Sequence, residues 1–185
     1  MMLEKKRLTD FRLIGLTGTN GAGKGEVANF LRNKGYAYVS LSDVIREELQ
    51  ARGLEASRDH LIACGNELRQ KFGPDVLARR VAARIQGPTV IDSIRNAAEV
   101  AFLRSLGDFI LVAVDAPLEV RFERARKRGR NESASTLEEF RRKEEQEKTS
   151  QETGQQLEIC LKLADLTIIN DGSLEDLWKK LEELG

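Results

Sequence analysis

Five short runs rich in β-branched and aliphatic residues occur along the chain, and stretches with helical spacing of apolar residues lie between them. The runs show no clean alternation of apolar and polar positions, which is typical of strands that helices cover on both faces. This order of elements favours an open, mostly parallel sheet in an α/β fold. The predicted strands cover residues 12–17, 36–40, 89–92, 109–114 and 166–170.

The last predicted helix follows the fifth strand. Ser173 is the expected N-cap residue, with Asp176 at the spacing of a capping box. Leu177, Trp178 and Leu181 then follow at helical spacing. We therefore expect the indole of Trp178 to pack in the core.

The 185 residues suffice for one α/β domain but hardly for two independent ones. Two charged stretches interrupt the strand-helix alternation, and they are interpreted as mobile insertions on one core. The predicted organisation is a single domain, residues 1–185. Its core is 11–42, 87–123 and 151–185, its acceptor-binding insertion is 43–86, and its lid is 124–150.

The overall charge is balanced, with 30 lysines and arginines against 30 aspartates and glutamates. No large field of one sign favours stable binding of nucleic acid or a membrane surface, so any anion site must be local. No apolar run approaches the roughly 20 residues of a membrane span. Cys64, Cys160 and His60 do not form a zinc set, and buried, reduced thiols are expected. A cytoplasmic monomer or homodimer is expected.

The strongest motif is Gly18-Thr19-Asn20-Gly21-Ala22-Gly23-Lys24, which satisfies GxxxxGK between a predicted strand and a predicted helix. Such a loop turns backbone N–H groups toward phosphates, and its lysine adds a cation. A plain glycine-rich turn with a solvated Lys24 is the alternative. Gly25 follows the lysine, so no hydroxyl there can bind Mg²⁺. The residues expected to bind ATP are Thr19, Asn20, Gly21, Ala22, Gly23, Lys24, Gly25 and Glu26.

Gly23-Lys24-Gly25 resembles the P-loop of adenylate kinases, which also have glycine after the lysine. The segment from Ser40 to Arg46 is similar to that family's monophosphate-binding segment, and Asp92-Ser93-Ile94-Arg95 is similar to its DGxxR element, with serine in place of glycine. Over most of its length the chain looks closest to the adenylate-kinase-like proteins sometimes labelled dephospho-CoA-kinase-like. The resemblance implies a three-layer P-loop NTPase fold, a five-stranded parallel sheet in the order 2-3-1-4-5, and the use of ATP and Mg²⁺.

The resemblance also implies roles for particular residues. Asp43 opens the monophosphate-binding helix and Arg46 binds the acceptor phosphate. The segment around Arg142 looks like a shortened lid, and Gly172 belongs to a loop similar to the one against the adenine base. The expected catalytic residues are Lys24, Arg95, Arg124, Arg128 and Arg142, and the expected acceptor-binding residues are Asp43, Arg46, Arg69 and Arg95.

Arginines are favoured for phosphoryl transfer because their planar guanidinium groups bind phosphate oxygens in pairs of hydrogen bonds. Arg121, Arg124 and Arg128 fall on one helical face, either as a cationic wall over the triphosphate or as a solvated face paired with Glu119 and Glu123. The helix predicted at 136–148 has few apolar residues and should be poorly anchored, either as a swinging lid or as a plain surface helix.

Two aspartates end buried strands near the P-loop. Asp92 is expected to hold Mg²⁺ through water, with a helix cap as the alternative. Asp115 is a weaker candidate because Asp-Ala-Pro also forms a turn. Arg69 lies at the edge of an apolar stripe and either reaches the acceptor phosphate or is solvated.

Together these features predict an ATP-dependent phosphotransferase that acts on a small-molecule nucleotide acceptor, above all a nucleoside or deoxynucleoside monophosphate. Dephospho-CoA is the alternative acceptor. A P-loop module that binds or slowly hydrolyses ATP without an acceptor is a second class, and a kinase of RNA or a modified base is a third.

Overall fold

The computed structural model describes residues 6–128, 135–147 and 156–185. These residues form one sheet of five parallel strands in the order β2-β3-β1-β4-β5. The α/β fold and the strand order expected from the sequence are therefore confirmed. The strands are β1 (Leu13–Gly18), β2 (Ala37–Ser40), β3 (Thr89–Asp92), β4 (Phe109–Asp115) and β5 (Leu166–Ile169).

Helices cover both faces of this sheet. In the described part of the chain they are α1 (Lys24–Asn33), α2 (Leu41–Ala51), α3 (Arg58–Phe72), α4 (Val76–Ala82), α5 (Ala97–Ser105), α6 (Leu118–Arg128), α7 (Leu137–Glu147), α8 (Leu157–Leu163) and α9 (Leu174–Leu184), with a 3₁₀ turn at Leu8–Asp10. None of these helices has the length and apolarity that crossing a bilayer requires.

The core lies in two layers, one on each face of the sheet. Leu13 packs with residues of α2 to α5, whereas its neighbour Ile14 packs on the opposite face with residues of α1 and α9. Successive side chains of a strand point to opposite faces, so both positions must be apolar when both faces are covered. This explains the missing alternation in the strand sequences.

The strand order brings the loop after β1 next to the ends of its two neighbours. Gly18 of β1 pairs with Val114 of β4, and β3 lies on the other side of β1. The P-loop therefore emerges between Asp92, which ends β3, and Asp115, which ends β4. Ligands of open parallel sheets bind at this carboxyl edge.

The structure differs from two of the expectations. Trp178 is 48% exposed, so the prediction that it packs in the core is wrong; Leu177 and Leu181 carry the buried face of α9 instead. The proposed insertion boundaries at 42/43 and 123/124 fall inside α2 and α6, which run on without a break. The insertions are thus joined to the core through continuous helices, and their independent movement stays a prediction.

Candidate functional site

The P-loop is wedged between α6 and the loop after β5. Gly21 and Gly23 have φ angles of 80° and 103°, in the left-handed region that favours glycine. A Cβ atom on Gly21 would lie 2.5 Å from the backbone oxygen of Arg121, and one on Gly23 would lie 2.4 Å from Nδ2 of Asn170. Both glycines are therefore required by backbone conformation and by close packing.

Side chains from neighbouring strand ends hold the loop in place. Thr19 donates its hydroxyl hydrogen to Oδ1 of Asp115 at 2.8 Å, and the same oxygen accepts the N–H of Ala116 at 2.9 Å. Asn170 donates from Nδ2 to the carbonyl of Ala22 at 2.8 Å. Asp115 thus anchors the P-loop and its own turn, and Asn170 anchors the loop from the side of β5.

Lys24 begins α1, so its ammonium group lies beside the positive end of a helix, where anions bind. Its Nζ donates to the carbonyls of Gly18 (2.9 Å) and Thr19 (3.0 Å). A Cβ on the next residue, Gly25, would meet no atom within 4 Å. The first turn of α1 therefore faces open space in which a polyphosphate and a hydrated cation can fit.

A cavity of about 1120 Å³ extends from the P-loop to α2, α3 and α4. Most of the residues predicted for the site line it. They are Asn20, Gly21, Gly23, Lys24, Gly25, Glu26, Asp43, Arg46, Arg69, Asp92, Arg95, Arg124 and Arg128.

Four predicted residues do not line this cavity. Thr19 and Ala22 support the loop from behind through the hydrogen bonds described above. Gly172 contributes a carbonyl that accepts a long hydrogen bond (3.4 Å) from Nη2 of Arg124. Arg142 is exposed on α7 and is not brought to the cavity, so the arrangement offers no support for the catalytic role expected of it.

Asp92 is buried (7% exposed) at the edge of the cavity beside the P-loop. Oδ1 accepts the N–H of Ser93 at 2.6 Å, and Oδ2 accepts the hydroxyl hydrogen of Tyr38 at 2.8 Å. Burial and the neighbouring carboxylate of Asp92 raise the pKa of Tyr38 well above its ordinary value. The alternative of a helix cap is wrong, because Asn96 caps α5 by accepting the N–H of Ala98.

A cluster of three hydroxyl groups next to Asp92 was not expected from the sequence. Ser40 lies 2.8 Å from the hydroxyl of Ser42 and donates to that of Ser93 at 3.0 Å. All three serines line the cavity. Ser93 also has a positive φ of 63°, at the position where the similar DGxxR element has glycine. Hydroxyl groups can both donate and accept, so the cluster can bind phosphate oxygens or water.

Arg69 is buried, with 2% of its surface exposed, which excludes the solvated alternative. Its Nε and Nη2 lie 3.0 and 2.9 Å from Oε1 of Glu99, which is fully buried. Oε2 of Glu99 accepts the backbone N–H of Arg95 at 2.9 Å. The remaining nitrogen, Nη1 of Arg69, is buried without a hydrogen-bond partner among the described residues.

Arg58 is a second buried arginine of the cavity and was missed by the sequence analysis. It begins α3, and its guanidinium lies 5.8 Å from the ring centre of Phe140. With Ile62, Gly65 and Arg69 it has the spacing i, i+4, i+7 and i+11, which is one face of a helix. This spacing is the signal in the sequence from which Arg58 could have been predicted to share a helical face with Arg69.

The three arginines of α6 that were expected to share one helical face have different surroundings. Arg124 donates long hydrogen bonds (3.4 Å) to the carbonyls of Ala22 and Gly172, and burial lowers the pKa of its guanidinium. Arg128 is exposed and lines the cavity. Arg121 is buried, with Nη2 3.1 Å from Oε1 of Glu144 and with Nη1 bonded to the other carboxylate oxygen. Arg121 is therefore neither part of an open cationic wall nor solvated.

Helix α7 is better anchored than its sequence suggested. Phe140 is completely buried and Glu144 is 7% exposed. Phe140 packs with Ala125, Leu118 and Phe122 of α6. The expectation of a poorly anchored helix is wrong, because one aromatic ring and one buried ion pair hold α7 on α6.

Comparison with known proteins agrees with this fold. The family model described as "AAA domain" matches residues 14–153. A UPF0200/UPF0201 protein of Archaeoglobus fulgidus is 36% identical over 183 residues, covering 95% of this chain but 55% of that protein. A UPF0200 protein of Sulfurisphaera tokodaii is 32% identical over 175 residues, covering 94% and 95%. Shikimate kinase from Acinetobacter baumannii has a similar structure (TM-score 0.57, 20% identity, 93% and 91% covered), a likeness that shows the fold alone.

Proposed function

The chain belongs to the UPF0200 family and has a P-loop kinase fold, and we propose that it transfers the γ-phosphoryl group of ATP to a nucleoside or deoxynucleoside monophosphate. One observation carries the proposal. A single cavity extends from the P-loop to Arg69, whose buried Nη1 has no hydrogen-bond partner among the described residues. A buried donor of this kind is costly unless a ligand satisfies it.

The ATP side of the cavity is the P-loop with the first turn of α1. The helix N-terminus and Lys24 attract the phosphates, and the packed glycines keep the loop in shape before ATP arrives. Arg124 lies between the P-loop and Gly172, where it can contact the nucleotide. Its desolvated guanidinium stays charged because arginine remains protonated in proteins.

The acceptor side combines apolar surface with positive charge. Leu41, Ile45, Leu61, Ile62 and Leu77 line it. The arginines there are Arg46, Arg58, Arg69 and Arg95. An apolar body that carries an anionic group fits this lining, as a nucleobase with a phosphate does. A module that only hydrolyses ATP would have no use for buried arginines facing an apolar wall.

Resemblance to adenylate kinases supports the same assignment of roles. Arg46 and Arg69 bind the acceptor phosphate, and Asp43 faces the acceptor from the first turn of α2. Arg95 and Arg128 lie on the cavity wall, where guanidinium groups can stabilise the charge of the phosphoryl group in transfer.

The residues present also fit a magnesium ion held through water. Asp92 ends β3 beside the P-loop, and each of its carboxylate oxygens keeps a lone pair beyond the hydrogen bond it accepts. When bound, Mg²⁺ supplies positive charge to the phosphate oxygens. The open space beside Gly25 leaves room for the hydration shell of the ion.

The two candidate acceptors differ in whether they need a side-chain base. A phosphate monoester is largely ionised at neutral pH, so its oxygen attacks without a side-chain base. A hydroxyl acceptor such as that of dephospho-CoA needs a proton acceptor. Carboxylates that could play that part do line the cavity, among them Asp43 and Asp92, so this difference does not decide between the acceptors. The similarity of the segment from Ser40 to Arg46 to a monophosphate-binding segment favours the monophosphate over the alcohol.

The test is formation of ADP from MgATP with a panel of ribo- and deoxynucleoside monophosphates and dephospho-CoA. We expect turnover only with an acceptor present, and its loss in Lys24→Ala. Arg84→Gln is the matched control, because Arg84 forms an exposed ion pair with Glu47 (2.7 Å) outside the cavity. Equal ADP formation with every acceptor and with none would replace the proposal with an ATPase module. Turnover with dephospho-CoA alone would replace the acceptor.

A further inference from the structure

Two guanidinium groups from different parts of the chain lie close to the ring of Phe140. Arg58 of α3 is 5.8 Å from the ring centre and Arg121 of α6 is 5.9 Å from it. The ring is completely buried. Phe140 belongs to a small apolar cluster of α6 and α7 that is separate from the two core layers. Phe140 therefore contributes to the contacts of α7 with α6 and α3 rather than to the main core.

Arg121 connects this cluster to the P-loop. Its Nη1 bonds to Glu144 of α7 and makes a long hydrogen bond (3.5 Å) to the carbonyl of Asn20. Its Nε donates to the carbonyl of Ala116 at 2.8 Å. The backbone oxygen of Arg121 lies directly beneath Gly21, 2.5 Å from the place of a Cβ atom. One residue therefore touches the P-loop, the turn after β4 and α7.

Arg58 connects the same cluster to the acceptor side of the cavity. Its side chain is 6% exposed and lines the cavity together with Arg69, which lies on the same face of the same helix. A guanidinium over an aromatic face is attracted to it, and the ring also limits its rotamers. Phe140 thus holds the charge of Arg58 at the cavity wall without lining the cavity itself.

We propose that Arg58 binds the anionic group of the acceptor, and that Phe140 and Glu144 are positioning residues through which α7 holds Arg58 and the P-loop in a fixed relation. This inference rests on the proposed function for the role of Arg58. The connection between the two sides of the cavity runs from Arg58 through Phe140 to Arg121 and Asn20. We therefore expect binding of ATP at the P-loop to stabilise the start of α3.

The first test separates positioning from simple packing. Phe140→Leu keeps an apolar side chain but removes the aromatic face, and Phe122→Leu is the matched control, because Phe122 packs on Phe140 (ring centres 5.8 Å apart) within the same cluster. From the strength of a cation–π contact, Phe140→Leu should raise KM for the monophosphate roughly 2- to 30-fold. Phe122→Leu should leave that KM unchanged, with an equal or smaller loss of thermal stability, because Phe122 is only partly buried.

A double-mutant cycle then asks whether Phe140 acts through Arg58. In an Arg58→Met background, Phe140→Leu should cause no further rise in KM for the monophosphate, because the guanidinium that the ring holds is gone. Effects of the two substitutions that multiply as independent factors would overturn the proposal. Equal effects of Phe122→Leu and Phe140→Leu would also overturn it.

A measurement that does not depend on phosphoryl transfer tests this inference separately from the proposed function. Hydrogen exchange of residues 57–62 is followed with and without a nonhydrolysable ATP analogue. We expect the analogue to slow exchange there in the unmodified protein and in Phe122→Leu, but not in Phe140→Leu or Glu144→Gln. If exchange responds as expected while no monophosphate is phosphorylated, the proposed acceptor is wrong and the connection stands. If the analogue binds and the variants respond like the unmodified protein, the connection is refuted.

Discussion

Replacing Arg69 with methionine removes a buried guanidinium and keeps an unbranched side chain. Glu99, which is fully buried, then loses both hydrogen bonds from Arg69 and keeps the one from the N–H of Arg95. Leaving one partner of a buried ion pair uncompensated costs about 3–5 kcal/mol of stability. Since a domain is stable by about 5–15 kcal/mol, we expect a large fall in the denaturant midpoint of Arg69→Met.

The double variant Arg69→Met with Glu99→Gln separates stability from binding. It removes both charges, and the amide oxygen of glutamine can still accept the N–H of Arg95. Replacing both members of a buried pair is often close to neutral, so most of the lost stability should return. A charge-assisted hydrogen bond from Nη1 to the acceptor, about 1.5–3 kcal/mol, should stay lost, which lowers kcat/KM for the monophosphate roughly 10- to 150-fold.

The assays are urea unfolding and steady-state kinetics with the acceptor varied at saturating ATP. Arg84→Gln again serves as the control for removing one arginine, and its exposed pair should contribute less than about 1 kcal/mol. If the double variant keeps the kcat/KM of the unmodified protein, Arg69 does not bind the acceptor. If Arg69→Met unfolds at the unmodified midpoint, the reasoning from the buried pair is refuted.

Three further predictions follow from single positions. Gly23→Ala, whose Cβ would lie 2.4 Å from Nδ2 of Asn170 at a φ of 103°, should weaken binding of an ATP analogue in calorimetry, and unchanged affinity would contradict the packing argument. Burial raises the pKa of Cys160 to about 12 from 9.0, so the unfolded chain loses this proton first and stability should fall above pH 9 by about 1.4 kcal/mol per pH unit. In Cys160→Ala this contribution should be absent, and identical alkaline unfolding curves would refute it. Trp178→Ser should change stability by about 0.5 kcal/mol or less, whereas Leu177→Ala, one residue away and buried, should cost about 2–5 kcal/mol.

The strands and their order could be expected from local pattern and from resemblance to adenylate kinases. Apolar runs without alternation indicated strands covered on both faces, and the observed pairs Leu13 and Ile14 point into the two core layers. The P-loop could also be recognised from the sequence, because a phosphate-binding loop made of successive backbone groups must be contiguous in sequence. Helix boundaries agreed where a local signal existed, as with Ser173 capping α9 through Asp176.

The errors lie where a side chain's environment depends on distant elements. Helical spacing alone placed Trp178 in the core, although the sheet covers only the face of α9 that carries Leu177 and Leu181. Arg142 resembles a lid arginine, and since α7 packs with Phe140 inward and leaves Arg142 exposed, its catalytic role stays a prediction. The sequence of α7, with two apolar side chains, indicated a weakly held helix, because no local sequence pattern reveals its buried ion pair.

The amino-acid sequence by itself determined the α/β class and the phosphate-binding loop, since both depend on residues that are neighbours along the chain. The tertiary structure alone decided which arginines are buried and what they do. Arg69 finds Glu99 30 positions away and Arg121 finds Glu144 23 positions away. Such pairs form only when helices pack and exclude water, because burial is what makes an unpaired charge costly and a paired one specific.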